Sequence, residues 1–237
     1  MTPPTLVLWD IDRTLVYVGE VSREIYARAF QEVTGQPLRT FADMTGRTDK
    51  AILTDTLAIN GVALPEERFE LFYAALARAA EASRERMRER GHRLPGGKEA
   101  IEALARAGAV QTVVTGNIRP TAIVKLDAFD LLEHLDVEVG GYGSDDRVRA
   151  ALVRRARERA EARYGRVFER VVVIGDTPHD VQAARDAGVG VVAVATGRSG
   201  QDELVAAGAA VVLPDLTDTE AVLEAIAASA TTSEAAP

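Results

Sequence analysis

Short, almost wholly apolar runs recur along the chain, at Thr5–Trp9, Val110–Val114, Val137–Val139, Val171–Ile174, Gly190–Val194 and Ala210–Leu213. They are rich in β-branched residues and do not alternate with polar ones, so each predicts a strand buried on both faces. Helix-forming stretches lie between most of them, at Lys98–Ala107, Arg149–Tyr164 and Asp180–Ala187. Buried strands separated by helices predict a parallel sheet with right-handed crossovers, hence a doubly wound α/β fold. A chain of 237 residues suffices for one large domain, or for one domain with an insertion.

The pattern breaks between about Val16 and Gly91. Amphipathic stretches at Arg23–Thr34, Asp49–Asn60 and Pro65–Glu89 predict helices, with no convincing strand among them. Turn-forming residues flank this block, at Val18-Gly19-Glu20, at Gly91 and at Leu94-Pro95-Gly96-Gly97. The expected organisation is a core of residues 1–16 and 92–228, a helical cap of residues 17–91, and a disordered tail of residues 229–237. A block inserted directly after the first strand sits above that strand's carboxyl end, as a lid over whatever lies there.

Composition narrows the classes of function. A formal charge of -8 argues against a nucleic-acid partner, which needs clustered basic charge. The absence of cysteine excludes disulfides, thiolate metal sites and cysteine nucleophiles. His92, His134 and His179 match no zinc spacing. No segment reads as membrane-spanning or as a signal peptide, so no membrane partner is expected and a cytoplasmic location is. Lysine is scarce, with only Lys50, Lys98 and Lys125, so any chemistry that needs a lysine has few candidates.

Three strand ends carry polar groups. In Leu6-Val7-Leu8-Trp9-Asp10-Ile11-Asp12-Arg13-Thr14, the first strand ends in two carboxylates two positions apart, a spacing that turns both to one side. Val113-Val114-Thr115-Gly116-Asn117 ends another strand in a hydroxyl, a glycine and an amide, suited to phosphate oxygens or to capping a helix. Val171-Val172-Val173-Ile174-Gly175-Asp176-Thr177-Pro178-His179-Asp180 ends a third in Gly-Asp, with a further aspartate that alone would read as a helix cap. A parallel sheet gathers such ends at one edge. An oxygen-rich site of that kind suits Mg²⁺ together with a substrate phosphate.

The order Asp-x-Asp-x-Thr, Thr-Gly-Asn, Gly-Asp-x-x-x-Asp resembles the haloacid dehalogenase superfamily, and the helical insertion resembles its helical cap, as in phosphoglycolate phosphatases and β-phosphoglucomutases. The resemblance implies a Mg²⁺-dependent phosphatase acting on a small phosphorylated metabolite such as phosphoglycolate. It implies Asp10 as nucleophile and Asp12 as general acid and base. Thr115, with the Gly116 and Asn117 backbone, would hold the phosphoryl group. Asp10, the main-chain carbonyl of Asp12, Asp176 and Asp180 would hold the metal.

Two departures from the family pattern stand out. The lysine expected upstream of the Gly-Asp strand is absent, and Arg149, with Arg147 as second choice, is its expected replacement. Arg13 stands where the family more often has glycine. In the cap, Gly46-Arg47-Thr48 precedes a helix, and Arg47 is a candidate reader of a substrate carboxylate or second phosphate. Three alternatives remain open: a phosphohexose mutase, a phosphonoacetaldehyde hydrolase using Lys50 for a Schiff base, and a non-enzymatic relative. Monomer and homodimer are equally compatible with the sequence.

Overall fold

The computed structural model describes residues 3–229. Strand β1 (Thr5–Trp9) pairs in parallel with β4 (Val110–Val113) on one side and with β5 (Arg170–Gly175) on the other. Two further parallel strands, β6 (Gly190–Val194) and β7 (Val212–Leu213), complete the order β4-β1-β5-β6-β7. The register sets Trp9 opposite both Val113 and Ile174. The residues that follow these three therefore leave the sheet at one level, and the motif residues lie among them.

Alternate side chains of the central strands feed two apolar clusters, as strand geometry requires. Leu6, Leu8, Val171 and Val173 pack with α7 (Arg149–Tyr164) and α8 (Pro178–Asp186) on one face. Val7, Trp9, Val172 and Ile174 pack on the other face with α5 (Gly97–Arg106), α6 (Arg119–Ala128) and α10 (Thr219–Ala228). The short α9 (Gln201–Ala206) precedes β7. The indole N–H of Trp9 donates to Gln111 at 3.0 Å, and the Gln111 amide donates to the Ile101 carbonyl at 2.8 Å, so the buried polar groups are paired.

Between the first strand and α5 lie α1 (Val21–Thr34), α2 (Asp49–Ile59), a 3-10 turn (Glu66–Arg68), α3 (Phe69–Glu81) and α4 (Arg84–Arg90). The second apolar cluster continues into them, with the Tyr26 and Phe72 rings 4.9 Å apart. The amphipathic stretch from Pro65 to Glu89 is helical, as expected, and is divided into three elements. Its apolar face is dense in α3 but reduces to Met87 in α4, so nothing holds one axis throughout. The block is also not strand-free at its edges, where β2 (Val16–Tyr17) and β3 (His92–Arg93) form an antiparallel ribbon.

Val137–Val139 is not a strand. The nearest pairing is an isolated bridge beyond it, between Val114 and Gly141, and the Asp136 carboxylate accepts the Glu138 N–H at 3.1 Å. A side-chain bond of this kind offers the backbone an alternative to a ladder. Of the expected tail, all but Ser229 lies outside the described residues.

Candidate active site

The first loop turns sharply after Asp12. Arg13 takes a left-handed conformation, φ 66°, which explains why glycine is at home there. Its N–H donates to the Val16 carbonyl at 2.7 Å, its carbonyl accepts the Thr196 hydroxyl at 2.6 Å, and its guanidinium lies 4.9 Å from the Tyr17 ring centre. The two aspartates that precede the turn have different partners.

Asp10 is buried and receives Arg149 Nη2 at 2.6 Å. The same nitrogen lies 2.6 Å from Asp180 Oδ1, and Arg149 Nη1 donates to the cap carbonyl of Gly46 at 3.3 Å. Arg149 therefore stands on Asp10, whereas Arg147 turns away to the Thr54 hydroxyl in the cap. Burial, opposed by Arg149 and reinforced by the charges of Asp180 and Asp12, pushes the Asp10 carboxyl up to about 7. Burial, then Asp10 and Asp180, pushes Asp176 up to about 8.

Asp12 has the opposite fate. Lys125 Nζ sits 2.7 Å from each of its carboxylate oxygens and 2.8 Å from Asn117 Oδ1. The Asn117 amide donates to Asp12 Oδ2 at 2.7 Å and to the Thr115 hydroxyl at 2.8 Å. Burial would raise Asp12, but Lys125 and Asn117 outweigh it and hold the carboxyl below its ordinary value. Lys125 is itself buried, at 2 % exposure. Sequence reasoning missed it by seeking a lysine upstream of Gly175-Asp176. The usable signal was the scarcity of lysine: one of three in the chain is buried within a helix that follows a motif.

Asp180 has two functions. Its Oδ2 accepts the Thr177 N–H at 3.1 Å and the Thr177 hydroxyl at 2.6 Å, completing the capping box of α8. Its Oδ1 pairs with Arg149 Nη2, and Asp176 Oδ2 is buried with no hydrogen-bond partner. Oxygens of Asp10, Asp176 and Asp180 lie within 4.8 Å of one another. Three buried carboxylates clustered at this spacing, with one guanidinium among them and one oxygen left without a donor, suit a hard divalent cation. The side chain of Asp12 lies outside this cluster, on Lys125. Gly197 is obligatory beside it, since a Cβ there would come 1.7 Å from Asp176 Oδ2.

The roof is the loop Gly46–Lys50 with the start of α2. The Asp49 N–H donates to the Gly116 carbonyl at 2.7 Å and the Lys50 N–H to the Gly143 carbonyl at 2.9 Å. Asp49 Oδ2 accepts the Ile118 N–H at 2.8 Å, at the start of α6. Burial raises the Asp49 carboxyl to about 6. Arg47 reaches the cavity wall, but its guanidinium is taken by Asp55 at 2.6 Å and by the Asp43 carbonyl at 3.1 Å. Lys50 is not part of the wall and pairs with Glu66 at 2.5 Å, which removes the basis for a Schiff-base reading. A cavity of about 390 Å³ lies between floor and roof, lined by Asp10, Asp12, Thr115, Gly116, Asn117, Lys125, Arg149 and Asp176 below and by the cap above.

The family model of haloacid dehalogenase-like hydrolases matches residues 7–185, a span that holds the three motif segments and the cap between them. The chain belongs to that family. It is a hydrolase, and the residues of the cavity floor fall within the matched span. Pyrophosphatase PpaX of Halalkalibacterium halodurans is 27% identical over 197 residues, covering 83% of this chain and 86% of that protein. A hydrolase from Pseudomonas syringae superposes with a TM-score of 0.66 at 23% identity, covering 94% and 98% of the two chains. CbbY from Rhodobacter sphaeroides, solved in complex with phosphate, superposes with a TM-score of 0.67 at 18% identity, covering 91% and 96%. Among the described residues, no helix is long and apolar enough to cross a membrane.

Proposed function

We propose that this hydrolase is a Mg²⁺-dependent phosphatase that cleaves a small phosphorylated metabolite through an aspartyl-phosphate on Asp10. The observation that carries the reading is the grouping of buried Asp10, Asp176 and Asp180 at the floor of the cavity, three carboxylates with one guanidinium among them and with Asp176 Oδ2 left without a hydrogen-bond partner. Asp10, Asp176, Asp180 and the Asp12 carbonyl would hold the ion. When bound, it neutralises charge on carboxylate and phosphate, so that an anion can approach an anionic ester.

The chain's own groups divide the remaining work. Asp10 attacks phosphorus while the bond to the leaving oxygen breaks, and Asp12 gives that oxygen its proton. A water then attacks the aspartyl-phosphate, Asp12 takes the water's proton, and phosphate leaves with Asp10 restored. Lys125 favours the middle of this cycle, when Asp12 is a carboxylate. The Thr115 hydroxyl and the Gly116 and Asn117 N–H groups would hold the transferring phosphoryl, and Arg149 balances its charge beside Asp10.

Full-length protein with Mg²⁺ is expected to hydrolyse p-nitrophenyl phosphate. The Asp10→Asn variant should lose at least ~10³-fold in kcat, as removal of a nucleophile demands. Turnover that persists in the folded variant removes Asp10 from its role. Transfer of phosphate from glucose 1-phosphate to a sugar, with no free phosphate released, would replace the phosphatase with a mutase.

A further inference from the structure

Two hydroxyls of the cavity wall are buried, one facing only the Thr56 hydroxyl and the other without a hydrogen-bond partner. Tyr26 Oη on α1 belongs to a residue 1 % exposed, and Thr121 Oγ1 on α6 to one 4 % exposed. A third polar group, the carboxylate of Asp49, stands near both. Its charge raises the Tyr26 phenol, with burial the larger cause, and it accepts the Ile118 N–H at the start of the helix that carries Thr121. Asp49 is 6 % exposed, and no cation pairs with it among the described residues. Lys125, one turn beyond Thr121 on the same face of α6, is occupied by Asp12 and Asn117.

We propose that Tyr26, Asp49 and Thr121 form the subsite for the leaving alcohol, and that it selects an uncharged alcohol carrying further hydroxyl groups. The inference rests on the phosphatase reading above, because it needs Asp12 to face the leaving oxygen. Thr121 and Asp49 lie on that side of the cavity, adjoining Lys125 and its partner Asp12. A carboxylate without a salt bridge accepts a substrate hydroxyl through its remaining lone pairs, and the Tyr26 and Thr121 hydroxyls can donate or accept as the ligand requires. A site built from such groups rejects an analogue without the hydroxyl, whose binding leaves them unsatisfied. It disfavours an anionic leaving group as well, because Asp49 repels it and nearby cations are engaged. Arg149 is on Asp10 and Asp180, Arg47 is on Asp55, Arg13 lies over the Tyr17 ring, and the wall residues Arg23 and Arg198 are exposed to water.

The test is a substrate series on the full-length enzyme with Mg²⁺: glycerol 1-phosphate, ethyl phosphate, 2-phosphoglycolate and inorganic pyrophosphate. The expected order places kcat/KM for glycerol 1-phosphate about 10-fold or more above each of the others, the scale of one or two recognised hydroxyls. Tyr26→Phe and Thr121→Val should each lower the ratio of glycerol 1-phosphate to ethyl phosphate by about 3-fold or more. Asp49→Asn should raise 2-phosphoglycolate relative to glycerol 1-phosphate. Equal or better turnover of ethyl phosphate, 2-phosphoglycolate or pyrophosphate by the wild-type protein overturns the subsite whether or not the variants fold. So does a ratio that the folded variants leave unmoved. If no member of the series and no p-nitrophenyl phosphate is turned over, the phosphatase reading fails and the subsite falls with it.

Discussion

The floor and the roof of the cavity hold their carboxylates by different means. On the floor, Asp10 and Asp176 issue from adjacent strands whose register leaves no freedom in their spacing, and Asp10 and Asp180 share one guanidinium. On the roof, Asp49 is placed by backbone bonds from a cap loop to Gly116 and Gly143, across an interface between distant parts of the chain. The floor clusters charge and needs a cation to neutralise it. The roof isolates one charge and surrounds it with hydroxyls. Chemistry is thus fixed by the sheet, whereas choice of substrate depends on how the cap is seated.

Removing Lys125 should break the floor most severely without touching the roof. Lys125→Met takes both charge-assisted bonds from Asp12, and kcat should fall by ~10²-fold or more, the scale of lost general acid–base help. KM should change far less, and Lys125→Arg should recover part of kcat. A loss confined to KM would make Lys125 a substrate-binding group instead of a positioning residue for Asp12.

The next effect sharpens the roof. Asp49 is raised from 3.8 to about 6 by burial, so the folded state holds its proton more tightly than the unfolded state. The associated stability is complete below pH 4 and is lost as pH rises through about 6. Asp49→Asn escapes that loss. It should be more stable than wild type at pH 7.5, by about 3 kcal/mol at most, and nearly equal at pH 4. Thermal melting at both pH values checks this, and an equal difference at both would show that Asp49 is not the titrating group.

The smallest effect tests the seam itself. A Cβ at Gly143 would come 1.7 Å from the Gly116 carbonyl oxygen and 2.7 Å from the Asp49 nitrogen. Gly143→Ala should unseat the roof while leaving the Asp10–Arg149 contact in place, lowering kcat/KM by about 10-fold, or ~1.4 kcal/mol of transition-state binding. If kcat/KM is unchanged on every substrate, seating of the loop does not limit the reaction.

The floor was legible in the sequence because a parallel sheet converts motif order into spatial proximity. Asp10, Thr115 and Asp176 each follow an apolar run, and apolar runs align. Arg149 was legible by its distance from the preceding turn. Lys125 was not, because a lysine in an amphipathic helix ordinarily faces water, and only the packing of α6 against the first loop buries it. Asp49 and Tyr26 were invisible for a related reason: their meeting depends on the packing of α1 and α2, which periodicity does not specify. Val137–Val139 misled because valine content predicts a strand, while the Asp136 side chain captures the backbone first.

Trp9 supplies a further consequence. It is the chain's single tryptophan, wholly buried and joined directly to Asp10. All indole emission from this protein therefore originates next to Asp10. On the proposed mechanism, phosphorylation of Asp10 or filling of the carboxylate cluster would be followed by unlabelled fluorescence in a stopped-flow instrument, with no competing indole signal from the cap.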